Sequence, residues 1–334
     1  MDSSRIPLVT VGLIVRNEAA HIAETLEHLA RIHFDSGFWE LVIVDGHSTD
    51  GTWEILQAFA EKSPPMLVRP LREEGERGHG NARNMVLTHA RGQYVAFTDA
   101  DCIVAPDWLA SLVSELESER TRDPHVVAVG GIRYPIETDR WKERLLNAML
   151  GTILGSGGSA GFVIGQSRRV DSIGNYNAIY VREVAVAAKY QNIRIGEDFE
   201  FNRRLNRLGH HIVLSPLPKV YHHQTASFRE FLVQMVGYGQ AQARVWKCFG
   251  VVRPFAPIMA LFWIGVLIGW TSLFVSPILF WIYCGIVGSY ALLVAVTAIS
   301  VASKLRSATG LAAVALYPMQ HAGYAWGFVK GLFT

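Results

Sequence analysis

Two carboxylates two positions apart, Asp99 and Asp101, follow an apolar run at residues 94–97. Residues two apart on a strand point to the same face, so both carboxylates can face one ligand where the chain leaves the sheet. Paired hard oxygens of this kind suit Mg²⁺ or Mn²⁺ carrying a diphosphate. An Asp-x-Asp turn can also do no more than cap its own backbone, so the pair by itself leaves both interpretations open.

A second carboxylate pair, Glu197 and Asp198, precedes a basic amphipathic helical pattern over residues 202–208. A carboxylate in this position can act as a general base that removes the proton from an attacking hydroxyl group. Acidic residues also stabilise a helix N-terminus through the helix dipole, which is the structural alternative.

The elements around these pairs follow a β-then-α order. An apolar run at 8–15 precedes a helical pattern at 19–32, and a second strand at 40–44 precedes a helix at about 52–62. Alternation of this kind predicts an α/β domain with a mostly parallel sheet covered on both faces.

Polar residues collect at the carboxyl ends of the predicted strands. Asn17 and Glu18 follow the first strand, and Asp45 follows the second. Asp99 and Asp101 follow a later strand. Helix capping explains each group separately. Their convergence on one edge, where open α/β sheets bind ligands, favours a binding site.

The C-terminal part contains two uncharged apolar runs, 255–275 and 278–301. Each is close to the roughly 20 residues that span a bilayer, so the pair predicts a transmembrane hairpin. A hairpin buried in a soluble core is the alternative. A third stretch, 311–329, is interrupted by a proline, a glutamine and a histidine, and the sequence leaves open whether it spans, re-enters or lies on the surface.

The charge pattern limits the kinds of partner. The formal net charge is +2, and no basic run is interleaved with aromatic residues, so nucleic acid is not an expected partner. Basic residues flank the hairpin, which places both of its ends inside by the positive-inside rule. The N-terminus lacks a signal-peptide pattern, and the three cysteines form no disulfide framework. We therefore expect an integral cytoplasmic (inner) membrane protein whose large domain faces the cytosol.

Several motifs occur in the order found in one enzyme family. They resemble its strand-loop nucleobase motif, its Gly-x-Ala-Arg-Asn helix start, its Asp-x-Asp metal motif and its acceptor-side Glu-Asp motif. The matching segments are VDGHSTDGT at 44–52, GNARN at 80–84, DAD at 99–101 and GEDFE at 196–200. Residues 8 to about 215 therefore resemble a glycosyltransferase of family 2, of the membrane-anchored succinoglycan type that extends lipid-linked saccharides.

This resemblance implies a GT-A nucleotide-sugar fold, which is Rossmann-like, followed by transmembrane helices. The expected boundaries are a catalytic domain over 1–225, an amphipathic interfacial helix over 226–252 and a transmembrane region over 253–334. That last region comprises a hairpin over 255–301 and a spanning or re-entrant segment over 311–329. For the middle segment, an ordinary amphipathic helix packed on the domain is an equally economical alternative.

The resemblance also assigns roles to individual residues. Asp198 becomes the general base, with Glu197 beside it. Asp101 becomes the principal metal ligand, supported by Asp99 and His222, and the implied cofactor is Mn²⁺ or Mg²⁺. Because adjacent residues on an extended segment face opposite ways, the histidine after His222 is not expected at the site. The residues expected to bind the nucleotide sugar are Arg16, Asn17, Glu18, Asp45, Arg83 and Asp99.

The implied activity is an inverting, metal-dependent transfer of one sugar. The donor is a nucleotide diphosphate sugar, such as a UDP-sugar, and the acceptor is a hydroxyl of a polyprenyl- or dolichyl-linked saccharide held in membrane lipid. The Gln-x-x-Arg-Trp motif of processive cellulose and hyaluronan synthases is absent, which argues against long processive polymerisation. One alternative is a polyprenyl-phosphate sugar synthase, but a phosphate acceptor is already anionic and needs no base. A non-catalytic nucleotide-binding membrane protein is a more distant alternative.

Overall fold

The chain forms two units, each built from two separate segments. The computed structural model describes residues 7–62, 64–157, 166–193, 196–224, 227–250 and 255–334. The first unit comprises Met1–Ile136 and Val163–His223, and the second comprises Glu137–Phe162 and Gln224–Thr334. Residues 137–162 thus group with the C-terminal helices, whereas the sequence prediction placed them in the catalytic domain. The predicted domain boundaries otherwise remain a proposal.

Among the described residues of the first unit, nine strands form one sheet. Its strands are β1 (Val9–Val15), β2 (Trp39–Asp45), β3 (Leu67–Arg72), β4 (Tyr94–Asp99), β5 (Cys102–Val104), β6 (Val126–Pro135), β7 (Arg168–Arg169), β8 (Ala178–Val181) and β9 (His211–His222). Their order is β3-β2-β1-β4-β8-β6-β9-β5, and β7 pairs with β9. Strands β3, β2, β1 and β4 are parallel, whereas β8 is antiparallel to both of its neighbours and β5 is antiparallel to β9.

The parallel half of the sheet is apolar because both of its faces are covered. All seven residues of β2 are buried, as expected for a central strand in a sheet with helices on both sides. At the amino ends of the strands, the buried carboxylate of Glu40 lies 2.8 Å from Arg69 and 2.9 Å from Arg91. This ion-pair cluster stabilises the edge opposite the one that carries the candidate site.

The helices agree with the predicted β-then-α order. They are α1 (Ile22–Ala30), α2 (Thr52–Glu61), α3 (His79–His89), α4 (Trp108–Arg122), α5 (Trp141–Leu150), α6 (Ile153–Ser156), α7 (Arg182–Ala188), α8 (Glu197–Arg207), α9 (Phe228–Phe249), α10 (Phe255–Ile268), α11 (Pro277–Leu305) and α12 (Ala313–Phe333). Helix α8 begins at Glu197 rather than at 202, because Gly196 adopts a left-handed conformation (φ 85°) and starts the helix there.

Two apolar helical stretches form the predicted hairpin. Phe255–Phe274 and Pro277–Leu305 contain 20 and 29 residues and are long and apolar enough to cross a membrane. Only 6% of the apolar window of each stretch is buried, whereas a hairpin inside a soluble core would be mostly buried. The hairpin therefore presents an apolar surface to its surroundings, which indicates membrane association.

Helix α5 explains why residues 137–162 belong to the second unit. Its Leu145 and Met149 pack in one apolar cluster with Val294 and Ala298 of α11. Tyr317 of α12 belongs to the same cluster. The amphipathic pattern of α5 alone does not reveal which helices it will contact.

The polar residues that interrupt the third apolar stretch are used inside the second unit. Gln320 donates to the Gly155 carbonyl at 2.5 Å, and His321 Nε2 lies 3.0 Å from the Leu154 carbonyl. Both side chains are buried. They satisfy backbone groups of α6 that apolar surroundings would otherwise leave unpaired.

Helices α9 and α12 pack through glycines. A β-carbon at Gly327 would overlap the Val236 carbonyl oxygen, and one at Gly239 would overlap the Tyr324 carbonyl oxygen. Close backbone approach of this kind is typical of small-residue helix interfaces in membranes. Val233 of α9 remains exposed, and the predicted interfacial position of this helix stays a prediction.

Replacing Gly327 with leucine is expected to separate α9 from α12 and to lower the free energy of unfolding by about 1–3 kcal/mol through overpacking. The control is Gly285→Leu on α11, where a β-carbon meets nothing within 4 Å. Thermal unfolding in detergent should show a lower midpoint for Gly327→Leu and a nearly unchanged one for Gly285→Leu. Equal midpoints for the two variants would contradict the close α9–α12 packing.

Candidate active site

The turn after β4 carries the predicted metal ligands. Asp99 is the last residue of β4, and Asp101 lies in the turn that leads into β5. Strand β5 runs antiparallel to β9 and pairs Cys102 with His222. The backbone N–H of His223 donates to the Asp101 carbonyl at 3.2 Å, which holds the turn against the end of β9. This pairing brings His222 from a distant part of the sequence to the turn.

His222 and His223 face opposite ways, as alternation along a strand requires. His222 Nε2 lies 3.4 Å from Asp101 Oδ1. His223 Nε2 instead lies 3.5 Å from Glu24 Oε2, and its ring centroid is 4.7 Å from that of His21. Of the two histidines, His222 is the one beside the Asp101 carboxylate.

The hydrogen bonds of His222 determine which ring nitrogen can bind a cation. Nδ1 lies 2.6 Å from the carbonyl oxygen of His223, which can only accept, so Nδ1 carries the proton. Burial lowers the pKa of His222 well below its usual range, so the ring is neutral and Nε2 presents a lone pair. An imidazole nitrogen and the Asp101 carboxylate oxygen facing each other fit a divalent cation.

The two aspartates of the turn have different surroundings. One ligand atom from each of Asp101, Cys102 and His222 lies within 4.8 Å of the other two. Asp99 Oδ1, by contrast, lies 3.8 Å from Arg83 Nη2. The structure thus places Asp101 among possible metal ligands and Asp99 beside a guanidinium group.

Arg83 connects this turn to the acidic pair. It lies on α3, is buried, and forms an ion pair with Glu197. His79 Nδ1 lies 3.7 Å from the same carboxylate. Burial alone would raise the pKa of Glu197, but the charges of Arg83 and His79 outweigh burial and hold that pKa below its usual range. Glu197 therefore stays ionised and holds Arg83 close to Asp99.

The start of α3 is held by a segment that the sequence motifs did not indicate. A β-carbon at Gly80 would overlap the Gln191 carbonyl, so the glycine permits close approach of the two backbones. Asn84 exchanges two hydrogen bonds of 2.8 Å with the backbone of Tyr190. The Tyr190 ring stacks on Phe201 of α8 at 4.0 Å. These contacts fix α3 and α8 relative to each other.

Asp198 lies in the first turn of α8. Its Oδ1 accepts from the Phe199 N–H at 2.7 Å. Burial raises the pKa of Asp198, and the charge of Glu197 raises it further, to about 6. A carboxylate with this pKa is ionised at neutral pH, yet it binds a proton more readily than an ordinary aspartate, which suits a general base.

Asp45 lies fully buried at the end of β2. Its Oδ2 accepts from the Ser48 N–H at 3.1 Å and from Arg72 Nη1 at 2.5 Å. Its Oδ1 has no hydrogen-bond partner among the described residues. The Arg72 guanidinium lies 4.1 Å from the centre of the Trp53 ring. The sequence prediction missed Arg72 and Trp53, although Arg72 ends the strand next to Asp45.

The remaining predicted donor-site residues shape the loop after β1. Asn17 adopts a left-handed conformation (φ 56°) and accepts from the Thr49 N–H at 2.9 Å. The Glu18 N–H donates to Thr52 Oγ1 at 2.9 Å. Arg16 lies at the end of β1 near Gly46. Asn17 and Glu18 therefore tie the loop after β1 to the loop after β2.

The parallel half-sheet carries an acidic turn at its carboxyl edge, as expected for a GT-A fold. The sequence matches the Glycosyl transferase family 2 domain over residues 10–181, more than half of the chain. The chain therefore belongs to glycosyl transferase family 2.

The chain is similar along nearly its whole length to one curated enzyme. This is the dolichyl N-acetyl-alpha-D-glucosaminyl phosphate 3-beta-D-2,3-diacetamido-2,3-dideoxy-beta-D-glucuronosyltransferase of Methanococcus voltae. The two sequences are 23% identical over 318 residues, and the match covers 95% of this chain and 94% of the relative. Glycosyltransferase AglE of Haloferax volcanii is 32% identical over 114 residues, but only 34% of this chain and 37% of that protein are covered. The family match and the named relatives thus both identify the chain as a transferase.

Among solved structures, the chain resembles mannosyltransferase PcManGT from Pyrobaculum calidifontis, determined in complex with GDP-Man and Mn²⁺. The TM-score is 0.61 at 22% identity, and the match covers 98% of this chain and 87% of that one. At this level of identity the similarity establishes the fold, which is the predicted GT-A fold.

Proposed function

We propose that the protein transfers a sugar from a nucleotide diphosphate donor, a UDP-sugar, to a hydroxyl of a lipid-linked saccharide, with inversion and with Mn²⁺ or Mg²⁺ at the turn after β4. The observation that carries this proposal is the position of Asp198 in the first turn of α8, next to Glu197, whose ion-pair partner Arg83 lies 3.8 Å from Asp99. The pKa of Asp198, raised to about 6, fits that role. A hydroxyl nucleophile needs such a base, whereas an anionic phosphate does not.

The donor side rests on two buried charges, Asp45 and Arg83, and on the half-buried Asp99. Asp45 offers an unpaired carboxylate oxygen, which suits an N–H of a nucleobase. Arg83 lies beside Asp99 and offers a cation to the diphosphate. These positions agree with the donor-binding roles expected for Asp45, Arg83 and Asp99, and we propose them as such.

The reaction assigns separate tasks to the site residues. When bound by Asp101 and His222, a divalent cation would neutralise the charge that develops on the departing diphosphate. Asp198 takes the proton of the acceptor hydroxyl as the oxygen attacks the anomeric carbon. Glu197 keeps its negative charge and holds Arg83 in position, so we assign it a positioning role beside the base.

The second unit and one relative support the proposed acceptor and location. The hairpin is long and apolar enough to cross a membrane, and the Methanococcus voltae relative is named for transfer to a dolichyl-linked sugar phosphate. We propose a polyprenyl- or dolichyl-linked acceptor and a catalytic domain on the cytosolic side of the inner membrane.

A donor and acceptor screen tests this function. The full chain in detergent is incubated with UDP-, GDP- or dTDP-sugars and Mn²⁺ or Mg²⁺, and release of nucleoside diphosphate is measured with a polyprenyl diphosphate saccharide or with polyprenyl phosphate. We expect release with UDP-sugars and the saccharide, and NMR of the product should show an inverted anomeric centre. Release only with polyprenyl phosphate would overturn the hydroxyl acceptor.

The raised pKa of Asp198 predicts an acidic limb in the pH dependence of kcat. The base must be ionised, so kcat should fall about tenfold per pH unit below about pH 6 and reach a plateau above it. A nearby cation lowers the midpoint, because its charge favours the carboxylate. The profile is measured at saturating donor, acceptor and metal. A profile with no acidic limb at any pH at which the protein stays folded would contradict the assignment.

A further inference from the structure

Cys102 is a buried side chain at the metal turn for which the mechanism above has no task. It is the first residue of β5 and lies directly opposite His222 in the antiparallel β5–β9 pair. Residues opposite each other in such a pair carry their side chains on the same face of the sheet. The sheet register therefore places the thiol beside the imidazole.

The distances between the donor atoms are close to those around a single ion. Asp101 Oδ1 lies 3.4 Å from His222 Nε2 and 3.9 Å from Cys102 Sγ, and one ligand atom from each of the three residues lies within 4.8 Å of the other two. Ligands of one tetrahedral ion, with bonds of about 2.0–2.3 Å, are about 3.3–3.7 Å apart. The three atoms thus need shifts of only about 1 Å to surround one ion.

We propose that Cys102 is a third protein ligand for thiophilic divalent cations such as Zn²⁺, Cd²⁺ and Co²⁺. These cations then bind more tightly here than oxygen and nitrogen ligands alone allow, and they compete with Mn²⁺ or Mg²⁺ for the site. As the metal–sulfur bond forms, the thiol proton passes to solvent, and no oxidant or reductant is involved. The competition rests on the proposed function, because it presumes that the catalytic cation uses the same turn.

The chemistry of the donor set supports this choice of metal. Carboxylate, imidazole and thiolate together form a set typical of Zn²⁺ and Co²⁺, whereas Mg²⁺ and Mn²⁺ prefer oxygen ligands in octahedral geometry. Three protein ligands leave one tetrahedral position, which a water or a diphosphate oxygen can fill. A thiophilic cation held by three protein ligands would thus have fewer coordination positions for the diphosphate of the sugar donor. Zn²⁺ and Cd²⁺ should therefore inhibit transfer.

Cobalt coordination tests the proposal without any turnover. The full chain in detergent is titrated with Co²⁺, and the sulfur-to-cobalt charge-transfer absorption is recorded. We expect the band in the wild type and in the controls Cys248→Ala and Cys284→Ala, which remove the other two cysteines. It should be lost in Cys102→Ser, with Co²⁺ and Cd²⁺ affinity weakened at least about 10-fold. Mn²⁺ affinity, measured by EPR, should change by less than about 3-fold.

The outcomes separate this inference from the proposed function. Co²⁺ binding that requires Asp101 but gives no charge-transfer band would overturn the role of Cys102 and leave the metal-dependent transfer intact. A band that persists in Cys102→Ser would also overturn it. Absence of any cation binding that depends on Asp101 would overturn both. Circular dichroism of Cys102→Ser, which preserves the shape of the side chain, shows whether the variant is folded.

Discussion

Replacing Asp198 with asparagine is expected to lower kcat for a saccharide acceptor by about 10²- to 10⁴-fold. Asparagine keeps the shape of the side chain but cannot take the hydroxyl proton. Donor and metal affinities should stay nearly unchanged, because the partners of Arg83 and Asp101 are retained. Steady-state kinetics with a UDP-sugar and the lipid-linked saccharide measure kcat, and calorimetry measures UDP binding.

The matched control is Asp107→Asn, an exposed carboxylate at the start of α4, where asparagine caps a helix equally well. This variant should retain wild-type kcat. If Asp198→Asn kept near wild-type kcat with the saccharide, Asp198 would not be the base. If it kept its rate with polyprenyl phosphate alone, the lipid phosphate would become the favoured acceptor.

Replacing Asp101 with asparagine should abolish measurable turnover and weaken Mn²⁺ binding at least about 10- to 100-fold, because an uncharged amide is a poor ligand for a hard cation. Mn²⁺ binding is followed by EPR, and UDP binding is measured with and without Mn²⁺. Asp99→Asn is the informative comparison, since Asp99 lies beside Arg83 and not beside His222. We expect a smaller loss of Mn²⁺ affinity in Asp99→Asn. Wild-type metal dependence of UDP binding in Asp101→Asn would refute the assignment.

The local parts of this structure could be predicted from the sequence. Periodic patterns predicted β1, β2 and α2 to within one residue at each end and α1 to within three, since a buried strand and an amphipathic helix are properties of neighbouring residues. The resemblance between motifs gave the fold and the list of candidate residues. Strand alternation also indicated correctly that His222 and His223 face opposite ways.

The contacts that assemble the site could not be predicted in this way. Arg83 and Glu197 are 114 positions apart, and nothing local to either residue encodes their pairing. The pairing of Cys102 with His222 depends on the register of β5 against β9, which the packing of the whole sheet decides. The stacking of Arg72 on Trp53 likewise could not be predicted, because it depends on where β3 lies in the sheet.

The length of the exposed apolar face of α11 can be compared with the thickness of a bilayer. Its exposed apolar residues run from Ile278 to Ile299, about 32 Å of helix at 1.5 Å per residue, which matches a hydrocarbon thickness of about 30 Å. The cluster joining α11 to α5 includes Val294 and Ala298 and therefore lies toward the C-terminal end of this apolar span. Trp141, with Lys142 Nζ 5.8 Å from its ring centre, is the aromatic and basic pair that favours the headgroup layer. The segment that follows β6 thus contributes the residues of the second unit that favour the headgroup layer.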